Sequence, residues 1–589
     1  MAKQQDNNNG AQATPQIMQE QIAKLANDKL LIEQNNGQLI IQNMPNAGPL
    51  EETKLTAPLL ESKSPRYTPN NSNVTSSVVS IPAQKLNYGD IESIVTQIES
   101  LKTPEDASSF LNSFKPLALK QFISLLNSIP IAELDLQQMP LPFWDIPSIK
   151  KIQTALETLQ KLYSLNLDRS FTYDNVQHSD ITPITTAISS FSNLRKLNLS
   201  NNQLDQLTKE QFKLITNAIG QLTQLRELVL PNNNLGGMND NYIEEFTNSL
   251  GKLVNLEVLD ARNNNLGNLS MDYFSKALGK LTKLIHINLS ANNLGNLTPE
   301  SVEQFAEALA KLVHIKTLAF NENNLGNLND ASIAPLGNAL GQQKELTFLD
   351  LSNNALNKVK NLSPIADAIS KLLKLQKLNL SNNNHNAEAE NPLNDRKDFD
   401  LASILKALEN SNELKFLDLS HNRLDKLLHD MHLITSSIGK LDTVQALNLS
   451  NNNLASLHHV FIEKLMKQVI GLKQLELIDL SLNNQNNVYN PDNFWTPITE
   501  IFKNAQTLYL VNVQNNNHDR GKAAAFKAEI EKAVLKNFVD RKFQENAENV
   551  DLMPKEIINI ISGYLNMEAE PEEMDFAQAW DNAWDWDAA

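Results

Sequence analysis

One recurring frame, LxxLxLxxNxL, limits what this chain can fold into more than any other feature. Leu194, Leu197, Leu199, Asn202 and Leu204 fit it at every specified position. Its first apolar residue returns at Leu162, Leu194, Leu225, Leu256, Leu284, Ile315, Leu346, Leu375, Leu414, Val444, Leu475 and Leu508, at gaps of 28 to 39 residues. A weaker copy with Ile131, Leu134 and Leu136 lies 31 residues ahead of the first, giving about thirteen units. Self-similarity at such a period marks units that bury their apolar faces only by stacking on one another. The first, fourth and sixth frame residues then point inward from a short strand and build a continuous core. The polar column is Asn202, Asn233, Asn264, Asn292, Asn323, Asn354, Asn383, Asn422, Asn452, Asn483 and Asn516, with Ser170 in the unit at Leu162. A buried amide at that place can satisfy the backbone of the turn after each strand, in its own and the adjacent unit.

The other half of each unit reads as a helix. Thr208 and Gln211 form a capping box, and Thr298 stands as N-cap before Pro299. Val302, Phe305, Ala306 and Leu309 then lie on one helical stripe. The expected fold class is α/β: a solenoid with parallel strands on its concave face and helices on its convex face. With this period, and with NNLGNL at 292–297 and 323–328, residues 131–520 resemble the ribonuclease-inhibitor-type leucine-rich repeats. The resemblance implies a horseshoe fold and does not by itself name a function.

Composition narrows the function. The chain of 589 residues has a formal net charge of -17 and no cysteine. Thiol nucleophiles, disulfides and Cys-ligated zinc are therefore excluded, and a reducing compartment is expected. The acidic balance disfavours nucleic acid and anionic membrane as partners. No Sec signal and no membrane-spanning run is legible, so the expected location is cytoplasmic, or a host cytosol reached without a Sec signal. No P-loop, GxSxG or HExxH occurs. His429 and His432 flank Asp430, and His458 adjoins His459, without further ligands at metal spacing. No catalytic residue, metal or cofactor is assigned, and a monomer is expected.

Around the repeats, residues 1–85 form an Asn/Gln/Pro/Ser-rich arm expected to be disordered, in which Ile17–Ile32 could be helical. Residues 86–130 read as an N-terminal helical cap, and 521–565 as a C-terminal one. The long 39-residue gap holds an insertion at 382–399, read as length variation or a partner-contacting loop. Leu552, Pro554, Ile557, Ile560, Ile561 and Tyr564 resemble the opening helix of an F-box, with Met553 where that pattern has Leu. The resemblance implies a Skp-type ubiquitin-ligase adaptor as partner; a plain capping helix is the alternative. Residues 566–589 carry eight acids and no base, with Phe576, Trp580 and Trp584 on one side of a possible helix. That strip suits docking into a protein groove or back onto the solenoid, or a merely solubilising tail. The Glu-rich block also resembles the export signals of effectors that intracellular bacteria deliver by type IV secretion.

On the concave face, exposed aromatics are candidate anchors, since binding hot spots favour large rigid side chains. Phe348 and Phe416 are chosen, with Asp350 and Asp418 on the same strands and Val258 and Asp260 on an earlier one; the alternative is that the two rings merely pack on neighbouring side chains. The expected function is a non-enzymatic scaffold that binds a protein partner there, as a secreted bacterial effector. The alternatives are an F-box-like adaptor and a regulator resembling Ran GTPase-activating proteins, which share the repeat class and an acidic C-terminal stretch.

Overall fold

The computed structural model describes residues 31–35, 38–42, 133–135, 162–171, 180–269, 271–384, 399–483 and 492–503, with isolated positions from 505 to 534. The chain divides into two compact units, one built from Met1–Pro69 and Val539–Asp587, the other mainly from Asn70–Phe538. In the first, β1 (Leu31–Asn35) and β2 (Gln38–Gln42) pair antiparallel, with Leu31 opposite Gln42 and Ile32 opposite Ile41. This corrects the end of the helix expected at Ile17–Ile32. Three β-branched residues, Ile32, Ile40 and Ile41, favour the pleated conformation over a helix. Residues 17–30 lie outside the described residues.

The second unit is a leucine-rich-repeat solenoid. Its strands are β3 (Glu133–Asp135), β4 (Ser164–Asn166), β5 (Lys196–Asn198), β6 (Glu227–Val229), β7 (Val258–Asp260), β8 (His286–Asn288) and β9 (Thr317–Ala319). They continue as β10 (Phe348–Asp350), β11 (Lys377–Asn379), β12 (Phe416–Asp418), β13 (Ala446–Asn448), β14 (Leu477–Asp479) and β15 (Leu510–Asn512). The thirteen strands lie side by side in chain order. Each pair is parallel and in register, as Phe348 with Thr317 on one side and Lys377 on the other. The middle residue of each described strand from β4 on, such as Leu197, Leu349 or Leu417, points into the core, where helices pack against the sheet. The flanking residues face the open side. Successive parallel strands need a crossover, and the helix of each repeat supplies it.

Local chemistry explains the helices. Thr208 accepts from the backbone of Gln211 and the Gln211 side chain answers to the Thr208 backbone, so the capping box starts the helix Lys209–Gln221. Thr298 accepts from Ser301 ahead of the helix Pro299–Ala310, whose Val302, Phe305, Ala306 and Leu309 are buried. At the far end, residues 528–530, 532 and 534 are helical, and Ile530 and Val534 join the core.

Between strand and helix lies a feature the repeat frame does not announce: a single 3₁₀ turn, as at Leu294–Asn296 and Leu325–Asn327. The Asn-rich run ahead of it has three separate roles. In Asn232, Asn233 and Asn234, the outer two have φ of 60° and 50°, the left-handed region that Asn tolerates better than most residues. The middle one is fully buried. The outer amides also form ladders between repeats: Asn232 donates to Asn201, and Asn263 to Asn232. A second ladder runs from Asn324 through Asn293 and Asn265 to Asn234.

The middle column does what its spacing predicts. Asn323 donates to the carbonyls of Leu289, Phe320 and Asn321 at 2.8, 3.0 and 3.3 Å. Its Oδ1 accepts from the backbone of Asn292 and Leu294 at 2.9 and 3.3 Å. Each amide thus fastens its own turn to the preceding repeat.

Candidate functional site

The open face carries two rows of side chains, from the first and third residues of each strand. From β4 to β8 both are half-buried. Farther on the face is more enclosed, and all three residues of β9, β13 and β14 are buried.

On the earlier strands the polar groups pair with one another. Lys196 meets Glu227 at 3.0 Å, and His286 Nδ1 lies 2.6 Å from Thr317 Oγ1. Burial lowers the His286 pKa, helped by the Lys316 charge. Val258 is half-buried on β7. Beside it, Asp260 accepts the backbone N–H of Arg262 and lies 3.5 Å from the Arg262 guanidinium. Burial raises the Asp260 pKa despite that cation. Three strand positions separate this pair from β10, so the six chosen face residues form two groups.

The second group lies on β10 to β12. Phe348 is only 4% exposed, which corrects its choice as an exposed anchor. Its register neighbours, Thr317 and Lys377, are buried as well, so the ring sits in a closed part of the face. Phe416, two strands on, is half-buried, and Lys377 Nζ stands 5.5 Å above its ring. This is cation–π geometry.

The row beside the aromatics alternates acid and amide. Asp350, Asp418 and Asp479 occupy β10, β12 and β14, while Asn379, Asn448 and Asn512 occupy β11, β13 and β15. Each Asp Oδ1 accepts the backbone N–H two residues on, from Ser352, Ser420 or Ser481, at 2.8 Å. Each Oδ2 accepts from the next strand: Asn379 at 3.2 Å, Asn448 at 3.1 Å and Asn512 at 3.1 Å. Sequence reasoning selected Asp350 and Asp418 but passed over Asp479, Lys377 and the Asn partners. The available signal was the alternation of Asp-Leu-Ser at 350–352, 418–420 and 479–481 with Asn-Leu-Ser at 379–381 and 448–450.

The remaining expected sites are outside the described residues: the adaptor-helix positions Leu552, Pro554, Ile557, Ile560, Ile561 and Tyr564, and the tail positions Phe576, Trp580 and Trp584. Among the described residues no cluster of three or more His, Asp or Glu is placed to hold a metal ion. Nor is any helix among them long and apolar enough to cross a membrane. The side chain of His458 caps the helix His459–Ile470, accepting from Val460 N–H at 3.4 Å, which gives that histidine a structural role.

The Leucine Rich Repeat family model matches residues 193–215. No curated protein matches the chain. Among solved structures it is similar to the leucine-rich repeat-containing protein LegL7 from Legionella pneumophila, at 18% identity and a TM-score of 0.36, covering 63% of this chain and 97% of that one. The repeat frame, the in-register parallel sheet and the buried Asn column give the described residues from β3 to β15 a leucine-rich-repeat fold.

Proposed function

We propose that this chain is a non-enzymatic recognition protein that binds a partner protein on the open face around β10–β12, with Phe416 as its anchor. Leucine-rich repeats generally mediate protein–protein interaction, and the observation that carries the placement is the Phe416 ring itself. It is a large, half-buried aromatic under the Lys377 cation, on a row where Ala446 and Thr317 are short and buried. Such rigid side chains contribute most of the energy at interfaces. Asp350 and Asp418 border it, and Val258 with Asp260 form a second, weaker contact zone.

Proximity labelling of the full chain in eukaryotic cells, with and without Phe416→Ala, tests this reading. A partner labelled by the wild type should be lost in the variant, by at least about tenfold if the ring is a hot spot. The melting temperature should stay nearly unchanged; an unaltered labelling set removes Phe416 from the interface. Phe348→Ala is expected to behave differently. Removing that enclosed ring should cost about 2 kcal/mol of stability, readable in urea unfolding. Wild-type stability in that variant would return Phe348 to the exposed surface.

Two narrower readings rest on sequence features. The Pro-started apolar face of Leu552–Tyr564 supports recruitment of a Skp-type adaptor, and the Glu-rich 566–589 block supports export as an effector. Truncating 546–589 should abolish adaptor capture from a eukaryotic lysate; a Skp-type adaptor absent from both samples ends that reading. Fusing the last 24 residues to a reporter tests export directly.

A further inference from the structure

The Asp row has a property that partner binding does not require. Asp350, Asp418 and Asp479 stand on alternate strands, about 10 Å apart in succession, because neighbouring strands are spaced by roughly 5 Å. Asp260 has Arg262 beside it. None of the three row acids has a Lys or Arg within ion-pair distance among the described residues. Their stabilising contacts are neutral: a serine backbone N–H and an asparagine amide each. Neutral donors solvate a carboxylate without cancelling its charge, so enclosing this row, with Asp418 and Asp479 buried and Asp350 half-buried, carries a standing electrostatic cost. The charged or titratable groups facing the row are Glu322 near Asp350, Lys377 on the intervening β11, and His421 near Asp479. Asp350 and Asp418 also repel one another.

We propose that the open face from β10 to β15 is proton-coupled: acidification below neutral adds protons to this row, lowers its charge and stabilises the repeats that carry it. This deepens the reading of the face as a binding surface, since a cationic partner segment would then be held at neutral pH and released in acid. Burial is the main cause pushing Asp350 and Asp418 up to about 6, against the lowering effect of their Ser and Asn hydrogen bonds. Asp479 is raised for the same reason. The folded values lie above the ordinary 3.8, so the folded chain binds the extra protons. The added stability is complete below the unfolded value and is lost as pH rises through about 6. Asp260 on β7, raised by burial, acts in the same sense, and His286 and His421, lowered by burial, in the opposite one, so the row must be isolated by substitution.

The test is the melting temperature of the full chain between pH 7.5 and 5. The wild type should gain on the order of 4 °C on acidification. Asp418→Asn should retain part of that gain, and the triple variant Asp350→Asn, Asp418→Asn, Asp479→Asn should lose most of it. A flat or falling wild-type profile, or an equal gain in the triple variant, overturns the proposal. Should the triple variant not fold, infrared titration of the wild type decides: a protonated-carboxyl band growing in above pH 5.5 supports the row, and growth only below that pH overturns it. No partner enters either measurement. Failed labelling would therefore leave proton coupling standing, and a flat titration would leave the binding reading standing.

Discussion

Asn323→Ala should cost about 3–6 kcal/mol in urea unfolding, whereas Asn324→Ala, the next residue along, should cost about 1 kcal/mol or less. The two carry the same side chain on consecutive positions, so propensity and composition cannot separate them. Asn323 is fully buried and holds five backbone groups. Truncation strips the carbonyl of Leu289 and the N–H groups of Asn292 and Leu294 of a buried partner, and no other side chain among the described residues reaches them, whereas the Phe320 carbonyl keeps the Asn354 amide. Orphaned groups of this kind cost about 1–3 kcal/mol each, since water cannot replace the lost bond. Asn324 is exposed, donates once to Asn293 at 3.1 Å, and mainly serves its left-handed φ of 55°. The damage from Asn323→Ala should also spread to the repeat before it, because the amide joins two units whose stability depends on their shared interface. Amide hydrogen exchange should then accelerate in both Leu284–Leu312 and Ile315–Leu340. Near-equal losses for the two variants would show that the column is not what fastens the repeats.

This contrast shows where the sequence was legible. The frame located the sheet strands because a strand's inward and outward residues alternate, and Leu197, Leu228 or Leu417 at the fourth position can only be a core residue. The Asn column was readable for the same reason, as a polar residue at an invariant buried place needs a repeating partner, and the backbone is the only one that repeats. The capping box at Thr208 was legible because it is local. Three features were not. The 3₁₀ turns depend on left-handed residues that include Ala291, Glu322 and Ala355, none of which marks a turn by type. Pairing of Asp350 with Asn379 joins residues 29 apart and follows from strand register. Enclosure of Phe348 depends on what surrounds the face, which periodicity along one chain does not report. The candidate site was therefore readable as a set of open-face positions and not as exposures.

Gly295→Ala is expected to cost about 3 kcal/mol, a large effect for one added methyl group, and to do so without any backbone strain. A Cβ built on Gly295 would lie 1.9 Å from the carbonyl oxygen of Asn324 and 2.6 Å from its carbon. Both atoms are backbone of the next repeat, so no side-chain rotation relieves the overlap. The same encounter recurs at Gly236, Gly267 and Gly326, each 1.9 Å from a carbonyl of the following unit. Hydrogen bonds record what the missing side chain permits. In these four units the N–H at this place reaches the neighbouring Asn carbonyl at 2.8 Å. Where the position holds Asn357, Asp425 or Ala455 instead, the same bond lengthens to 3.1, 3.4 and 3.1 Å. Glycine thus draws successive repeats together along this edge, over the units that follow β6 to β9, and later units stand farther apart. Adding a methyl at 295 must push the edge open, stretch the Gly295–Asn323 bond and disturb the adjoining amide ladder from Asn293 to Asn324. The reverse change is the control. Ala455→Gly removes a methyl where the spacing already admits one, so it should cost only about 1 kcal/mol, through backbone entropy and lost burial. If both changes proved equally mild, the edge would be soft enough to accept a side chain anywhere, and the glycine column would owe nothing to the approach of its neighbours.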